Sequence, residues 1–209
     1  MKEKIISQML DFCAALEANK LVARGDTLSV RYKDGMFITP SDKAMAEVKA
    51  GDIKFLSKSD AVDGDEGLHL AIYGTRPDIN AVITNHAPFC VGVAASCKSL
   101  PAALDDMAQI IGPTAKVSPD GDALTVLRTL KGRNACLIRN GGVVATGRTL
   151  DEAFTGSMVL EKGALCYVGS TVIGKSVRIG LFDALLMRFV YKTKYSKKDQ
   201  TAKQQELKA

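Results

Sequence analysis

The sequence predicts a single α/β domain, and three observations carry that prediction. Short apolar runs, such as 81–83 and 135–138, alternate with longer stretches whose apolar residues recur at helical spacing. Two turn-forming dipeptides, Asp34-Gly35 and Asn140-Gly141, each stand between such runs, which is the pattern of a hairpin. No internal repeat and no linker divides the 209 residues, a length that suits one compact domain with a full core.

The elements follow in chain order. Residues 4–21 place Ile5, Ile6, Met9, Leu10, Phe12, Cys13 and Leu16 on one helical face. Residues 28–32 and 36–39 read as strands, joined by a Lys33-Asp34-Gly35 hairpin in which Asp-Gly supplies the positive-φ position. Pro40-Ser41-Asp42 opens a short helix near 43–49, and 53–56 is a third strand. A polar loop, 57–64, leads into a helix over 65–74 with Leu68, Ala71 and Ile72 as its apolar stripe. The run 81–83 reads as a buried strand that delivers Thr84-Asn85-His86 at its C-terminal end, where open α/β sheets usually set their sites. Apolar helical stretches cover 88–95 and 101–111, and 122–130 is another helix. Strands at 135–138 and 143–145 flank Asn140-Gly141-Gly142. A Thr149-Leu150-Asp151-Glu152 capping box starts a helix that runs to about 167, and a last helix covers 181–192.

Hydrophobic residues make up 46% and charged residues 24%, the balance of a soluble globular chain. No apolar run approaches the roughly 18 residues needed to cross a bilayer. The N-terminus lacks the apolar core and cleavage site of a signal peptide, so a cytoplasmic protein is expected. Cys13, Cys90, Cys97, Cys136 and Cys166 are odd in number, contain no Cys-x-x-Cys, and sit in apolar surroundings; reduced core thiols are the expectation. The net charge of +5 is uneven: residues 191–209 carry +4, which leaves the body at +1. That segment reads as a basic tail, disordered or a frayed helix, beyond a domain spanning 1–190. A solvated terminus explains it, and nucleic acid is not an expected partner.

Several segments match one family in order and spacing. These are Ser29-Val30-Arg31 through Asp34-Gly35 to Thr39-Pro40, His69-Leu70-Ala71-Ile72-Tyr73 through Arg76-Pro77-Asp78 to Asn85-His86-Ala87, Leu137 through Asn140-Gly141-Gly142, and Leu150-Asp151-Glu152-Ala153. Over about residues 5–170 the chain resembles the class II aldolase/adducin family. The resemblance implies a single-domain three-layer α/β/α sandwich around a central, mostly antiparallel sheet. It also implies a homo-oligomer, a tetramer, with active sites between neighbouring subunits.

In catalytic members of that family three histidines hold a zinc ion, which acts as a Lewis acid on the developing enediolate. A glutamate moves the proton, and a loop of small residues binds the substrate phosphate. Carried onto this chain, the three ligand positions fall on Thr84, His86 and Gly141, so only His86 is kept. The glutamate position falls on Asp65, with Glu66 one register away. The phosphate-loop positions fall on Thr27, Ser41, Asp42, Asp63 and Gly64, where the family has paired serines and a Thr-Gly. A family tyrosine that acts as an acid falls near Asp105. Carboxylates facing a phosphate at ~4 Å would each repel it by about 4 kcal/mol at an effective dielectric near 20.

Simpler readings stand beside these. Histidines like His69 are commonly core or capping residues. Asn-Gly explains the 140–142 turn without any ligand. Cys90 lies four residues after His86, but Pro88 intervenes, so a Cys–His nucleophile is not expected. Asp63, Asp65 and Glu66 suit a helix N-terminus, each contributing roughly 0.3–1 kcal/mol there; a site for a cationic ligand is the sharper reading.

The expectation is therefore a degenerate family member without a resident cofactor, acting as a binding or scaffold protein with a small molecule as its possible ligand. The alternative is a zinc-dependent aldolase or lyase of small sugar phosphates with a rebuilt site. A third reading makes the basic tail a tether to an anionic partner.

Overall fold

The computed structural model describes residues 1–96 and 99–206, with side chains described through Lys194. Cys97 and the tail lysines Lys197, Lys198, Lys203 and Lys208 thus lie outside the described residues or side chains.

Helix α1 (Lys2–Ala18) precedes the hairpin of β1 (Leu28–Tyr32) and β2 (Gly35–Ile38). Strand β3 (Lys54–Ser57), helix α2 (Gly64–Thr75), strand β4 (Ala81–Asn85) and helix α3 (Pro88–Ala95) follow. The short strands β5 (Leu100–Pro101) and β6 (Thr114–Ala115) bracket α4 (Asp105–Ile110) and form a separate pair. Next come β7 (Val117–Ser118), α5 (Ala123–Leu130), β8 (Ala135–Ile138), β9 (Val143–Gly147), α6 (Leu150–Ile173) and α7 (Leu181–Glu206).

The main sheet has the order β3-β2-β1-β4-β9-β8-β7. Every neighbouring pair is antiparallel except β7 with β8, so the sheet is mostly antiparallel, as expected. Successive strand residues point to opposite faces, and the core divides accordingly. Leu28, Ala81, Ile83, Leu137, Val143 and Ala145 join α1, α3, α4 and α6 on one face. Met36, Ile38, Val82, Cys136 and Val144 meet α2 and α5 on the other. These are the three layers.

Both glycine-containing turns depart from the expected chemistry. The positive φ of the first falls on Lys33 (50°), not on Asp34 or Gly35, and that of the second falls on Asn140 (52°). The glycines serve close approach instead. A Cβ on Gly35 would overlap the Leu56 carbonyl oxygen, and one on Gly142 the Asn85 carbonyl oxygen.

The expected helix near 43–49 is two separate 3-10 turns, Met45–Glu47 and Ala50–Asp52. Each is closed by its own carboxylate: Ala44 N donates to Glu47 Oε2 at 3.2 Å, and Lys49 N to Asp52 Oδ2 at 2.9 Å. These local bonds compete with a continuous helix. The stretch 101–111 divides because Leu100 and Pro101 pair with β6, so the helix starts only at Asp105. The cap of α6 is half a box: Thr149 Oγ1 accepts from Glu152 N at 3.1 Å, while the Glu152 carboxylate turns to Arg148.

Helix α7 passes through the boundary drawn at residue 191, and Tyr191 packs on the core. Its anchor is the buried Arg188, which donates to the Ile110 carbonyl at 2.9 Å and to Asn134 Oδ1 at 3.0 Å. Cys13, Cys90 and Cys136 are buried thiols as expected, but Cys166 is exposed on the outer side of α6.

Candidate functional site

The site forms where the start of β1 meets the end of β4. Their antiparallel pairing sets Thr27 beside Thr84, with Thr84 N donating to the Thr27 carbonyl at 2.9 Å. The first turn of α2 brings Asp65 over this junction, and Ile138, Gly142 and Val143 close the far side; Gly141 is not part of the lining. Between them is a cleft of about 370 Å³ whose lining includes Arg24, Asp26, Ser41, Asp65, Thr84 and His86.

Asp65 is held by two hydroxyls. Thr27 Oγ1 lies 2.9 Å and Thr84 Oγ1 2.7 Å from its Oδ2, and the two hydroxyl oxygens are themselves 2.7 Å apart. Two hydroxyls carry two protons, so two of these three contacts are donated at once. Thr84 Oγ1 also accepts from Thr27 N at 3.1 Å. The three side chains form a closed cluster at the bottom of the cleft.

His86 is held from behind by a residue that sequence reasoning passed over. Its Nδ1 lies 2.5 Å from Asp26 Oδ1, and its backbone N–H donates to Asp26 Oδ2 at 3.0 Å. Ala23 N donates to the same oxygen at 2.7 Å. The Asp26 side chain is 1% exposed and that of His86 47%, so the imidazole turns its Nε2 edge toward the cleft. Burial raises the Asp26 carboxyl above the usual carboxylate range, outweighing the hydrogen bonds from Ala23 and His86 that lower it.

The remaining expected residues scatter. Ser41 lines the cleft. Asp42 is exposed and contributes its carbonyl, which accepts from Arg24 Nη1 at 2.5 Å. Asp63 and Gly64 are exposed at the start of α2 and line no part of the cleft. Glu66 turns away to pair with Lys54. Asp105 begins α4, also outside the cleft lining. Arg24, the second residue the sequence reading missed, places a cation at the rim and pairs with Glu47 at 2.7 Å. Cys90 is not a nucleophile: burial and the Glu161 carboxylate push its thiol pKa far up, while Glu161 accepts from Phe89 N and Cys90 N, each at 2.9 Å.

Under the cleft, His69 is fully buried as a core residue. Its Nδ1 lies 2.8 Å from Ser29 Oγ, which in turn lies 2.8 Å from Tyr73 Oη, and its Nε2 has no partner. Burial lowers its pKa from 6.5 to about 4, with nearby Asp65 acting the other way. Between those values the unfolded chain binds a proton that the folded chain refuses. The His69 contribution to stability is therefore complete above pH 6.5 and declines as the pH falls toward 4. Denaturant unfolding at pH 7.5 and at pH 4.5 measures this. A His69→Asn variant, which keeps a partner for Ser29, is expected to flatten the difference, and an equally steep loss in that variant refutes the assignment.

The sequence profile of the Class II Aldolase and Adducin N-terminal domain matches residues 7–168. The chain belongs to the class II aldolase family. It is 32% identical over 152 residues to the 5-methylthioribulose-1-phosphate/5-deoxyribulose-1-phosphate aldolase of Rhodospirillum rubrum, covering 67% of this chain and 69% of that one. It is 29% identical over 193 residues to an L-fuculose phosphate aldolase of Escherichia coli, covering 85% and 89%. Among solved structures, an L-fuculose 1-phosphate aldolase superposes with a TM-score of 0.84 at 26% identity, over 90% of this chain and 96% of that chain. The L-fuculose 1-phosphate aldolase of Glaciozyma antarctica, at 20% identity and a TM-score of 0.74 over 88% and 79%, shares the fold.

The family's zinc does not fit the residues present. A catalytic zinc takes three protein ligands and keeps one open position. By the resemblance a hydroxyl, one imidazole and a glycine stand at the three positions, and the Asp65 carboxylate is engaged by Thr27 and Thr84. Among the described residues no three His, Cys, Asp or Glu side chains are grouped to hold a metal.

Proposed function

We propose that this class II aldolase family member is a binding or scaffold protein in the cytoplasm that has given up zinc-dependent aldol cleavage and keeps the cleft as a site for a small polar molecule. One observation carries the reading: the Asp65 carboxylate, at the position of the proton-transferring glutamate, is closed into a cluster with Thr27 and Thr84. Thr84 offers a hydroxyl where zinc needs an imidazole. Two lost imidazoles outweigh even the loss of an outer partner, which alone lowers metal affinity about 10 to 100-fold.

The test is elemental analysis of the purified protein, with an assay of L-fuculose 1-phosphate cleavage in added zinc. Neither stoichiometric metal nor cleavage is expected. A stoichiometric metal removed by chelator, together with turnover, overturns the proposal. A single observation favours that second reading, a lyase with a rebuilt metal site. The Asp26–His86 pair has the arrangement of a metal-bound imidazole with its outer carboxylate.

Copies of the chain are proposed to assemble, as a tetramer by family likeness. Support comes from the outer face of α7, where Leu181, Phe182, Leu185, Leu186, Phe189 and Val190 are all exposed. Contiguous apolar patches of this kind are association surfaces far more often than solvated ones. A Phe182→Glu/Phe189→Glu variant is expected to lower the native mass in light scattering. A monomeric parent protein at micromolar concentration sinks the idea.

A further inference from the structure

At the opposite end of β1 from the cleft, the β1–β2 turn and the C-terminal turn of α2 enclose a second concavity of about 330 Å³. Its lining includes Arg31, Lys33, Asp34, Lys58, Tyr73 and Gly74. The Arg31 guanidinium is fixed in place. Its Nε donates to the Ile79 carbonyl at 2.9 Å, and its Nη2 to the Tyr73 and Arg76 carbonyls at 2.8 and 2.9 Å. It also lies over the Tyr73 ring, 4.8 Å from the centroid. These contacts satisfy the carbonyls at the end of α2 and leave Nη1 without an acceptor among the described residues. The Lys33 ammonium rests over the Tyr32 ring at 5.4 Å, on the sheet face of Phe37 and not that of Tyr73, so the side chain must turn to present its charge to the pocket. Neither Lys33 nor Lys58 is ion-paired to a described carboxylate, Asp34 included. Gly74 keeps the wall open, since a Cβ there would meet nothing within 4 Å.

Two cations, Arg31 and Lys58, thus line a concave surface with one carboxylate, Asp34, and a third, Lys33, stands at its lip, on a body whose net charge is near neutral. Concave walls concentrate such a field. The one head held rigid is a guanidinium, whose planar donors suit oxyanions. We propose that this pocket binds a small dianion, a phosphate monoester group, with Arg31 Nη1 as the directional donor and Lys33 and Lys58 as flanking charges. The site is separate from the cleft and does not depend on what the cleft does.

The test uses the full chain, labelled with ¹⁵N and titrated with inorganic phosphate at low ionic strength. Saturable shifts are expected at Gly35, Lys58 and Gly74, and added sodium chloride is expected to weaken them. Lys33 and Lys58 are exposed, and asparagine tolerates the positive φ at position 33. The Lys33→Asn/Lys58→Gln variant therefore keeps its fold and is expected to bind phosphate about tenfold more weakly. Four outcomes overturn the proposal: shifts that do not saturate, shifts spread over all lysines, shifts confined to Arg24 and His86 in the cleft, or undiminished binding by the double variant.

Discussion

Replacing Gly142 by alanine is expected to destabilise the protein by about 4 kcal/mol, whereas Gly141→Ala is expected to cost less than about 1 kcal/mol. The residues are neighbours in one turn, and neither has a positive φ. They differ in what a Cβ meets. At Gly142 it overlaps the backbone carbonyl of Asn85 and comes within 3.2 Å of His86 Cε1. A carbonyl in a strand has no rotamer to escape into. Relief requires β9 to part from β4 at the Asn85–Val143 pair, which also displaces the His86 ring. At Gly141 the nearest atom is Ile138 Cγ2 at 3.1 Å, the end of a side chain that turns aside at modest cost. Denaturant midpoints of the two variants separate the cases. Equal, small losses would mean that the turn is loose and does not fix the cleft wall.

The same contrast shows what could be read without coordinates. The strands were legible because 81–83 and 143–145 are apolar at every position, which marks burial on both faces. The hairpins were legible from Asp-Gly and Asn-Gly, yet the reason for each glycine was not. The turn chemistry assigns a backbone conformation, and the structure places that conformation on Lys33 and Asn140 instead. Whether a Cβ strikes a carbonyl on another strand depends on register, which single-chain patterns do not contain. The site divides in the same way. Spacing and resemblance carry His86, Thr84 and Asp65, which the structure sets around one cleft. Asp26 was not, because its role is a contact with a residue 60 positions away, and nothing in Arg24-Gly25-Asp26-Thr27 sets that aspartate apart from an ordinary loop acid. Asp63 and Asp42 were expected near the phosphate position, but their side chains turn to solvent at the loop ends. The cleft is therefore less acidic than the sequence implies, with Arg24 at its rim.

Placing imidazoles at the two positions where the resemblance sets the missing ligands is expected to raise zinc affinity at least about a thousandfold in Thr84→His/Gly141→His, since each direct ligand contributes more than the 10 to 100-fold of an outer partner. The geometry favours it. Positions 84 and 86 lie two apart on an extended segment, so their side chains leave the same face. His86 is already oriented through Nδ1 by Asp26, which turns Nε2 to the cleft. The 141 position adjoins Gly142, which packs closely against Asn85 and the His86 ring. Removing the Thr84 hydroxyl leaves Asp65 still bonded to Thr27 at 2.9 Å, so no buried carboxylate is stranded. Competition with a chromophoric chelator measures the gain, and zinc-dependent elevation of Tm gives an independent readout. The single variants are expected to gain far less than the double, because two ligands hold zinc poorly. A double variant no better than either single one would show that positions 84, 86 and 141 do not converge. Cleavage of L-fuculose 1-phosphate is not expected even with zinc bound. Asp63 and Gly64, which the resemblance sets at the family's paired serines, lie outside the cleft lining and offer no hydroxyl to a phosphate. Turnover by the zinc-loaded variant would instead mean that Arg24 and Ser41 suffice for the phosphate, and that two ligands alone separate this chain from an active aldolase.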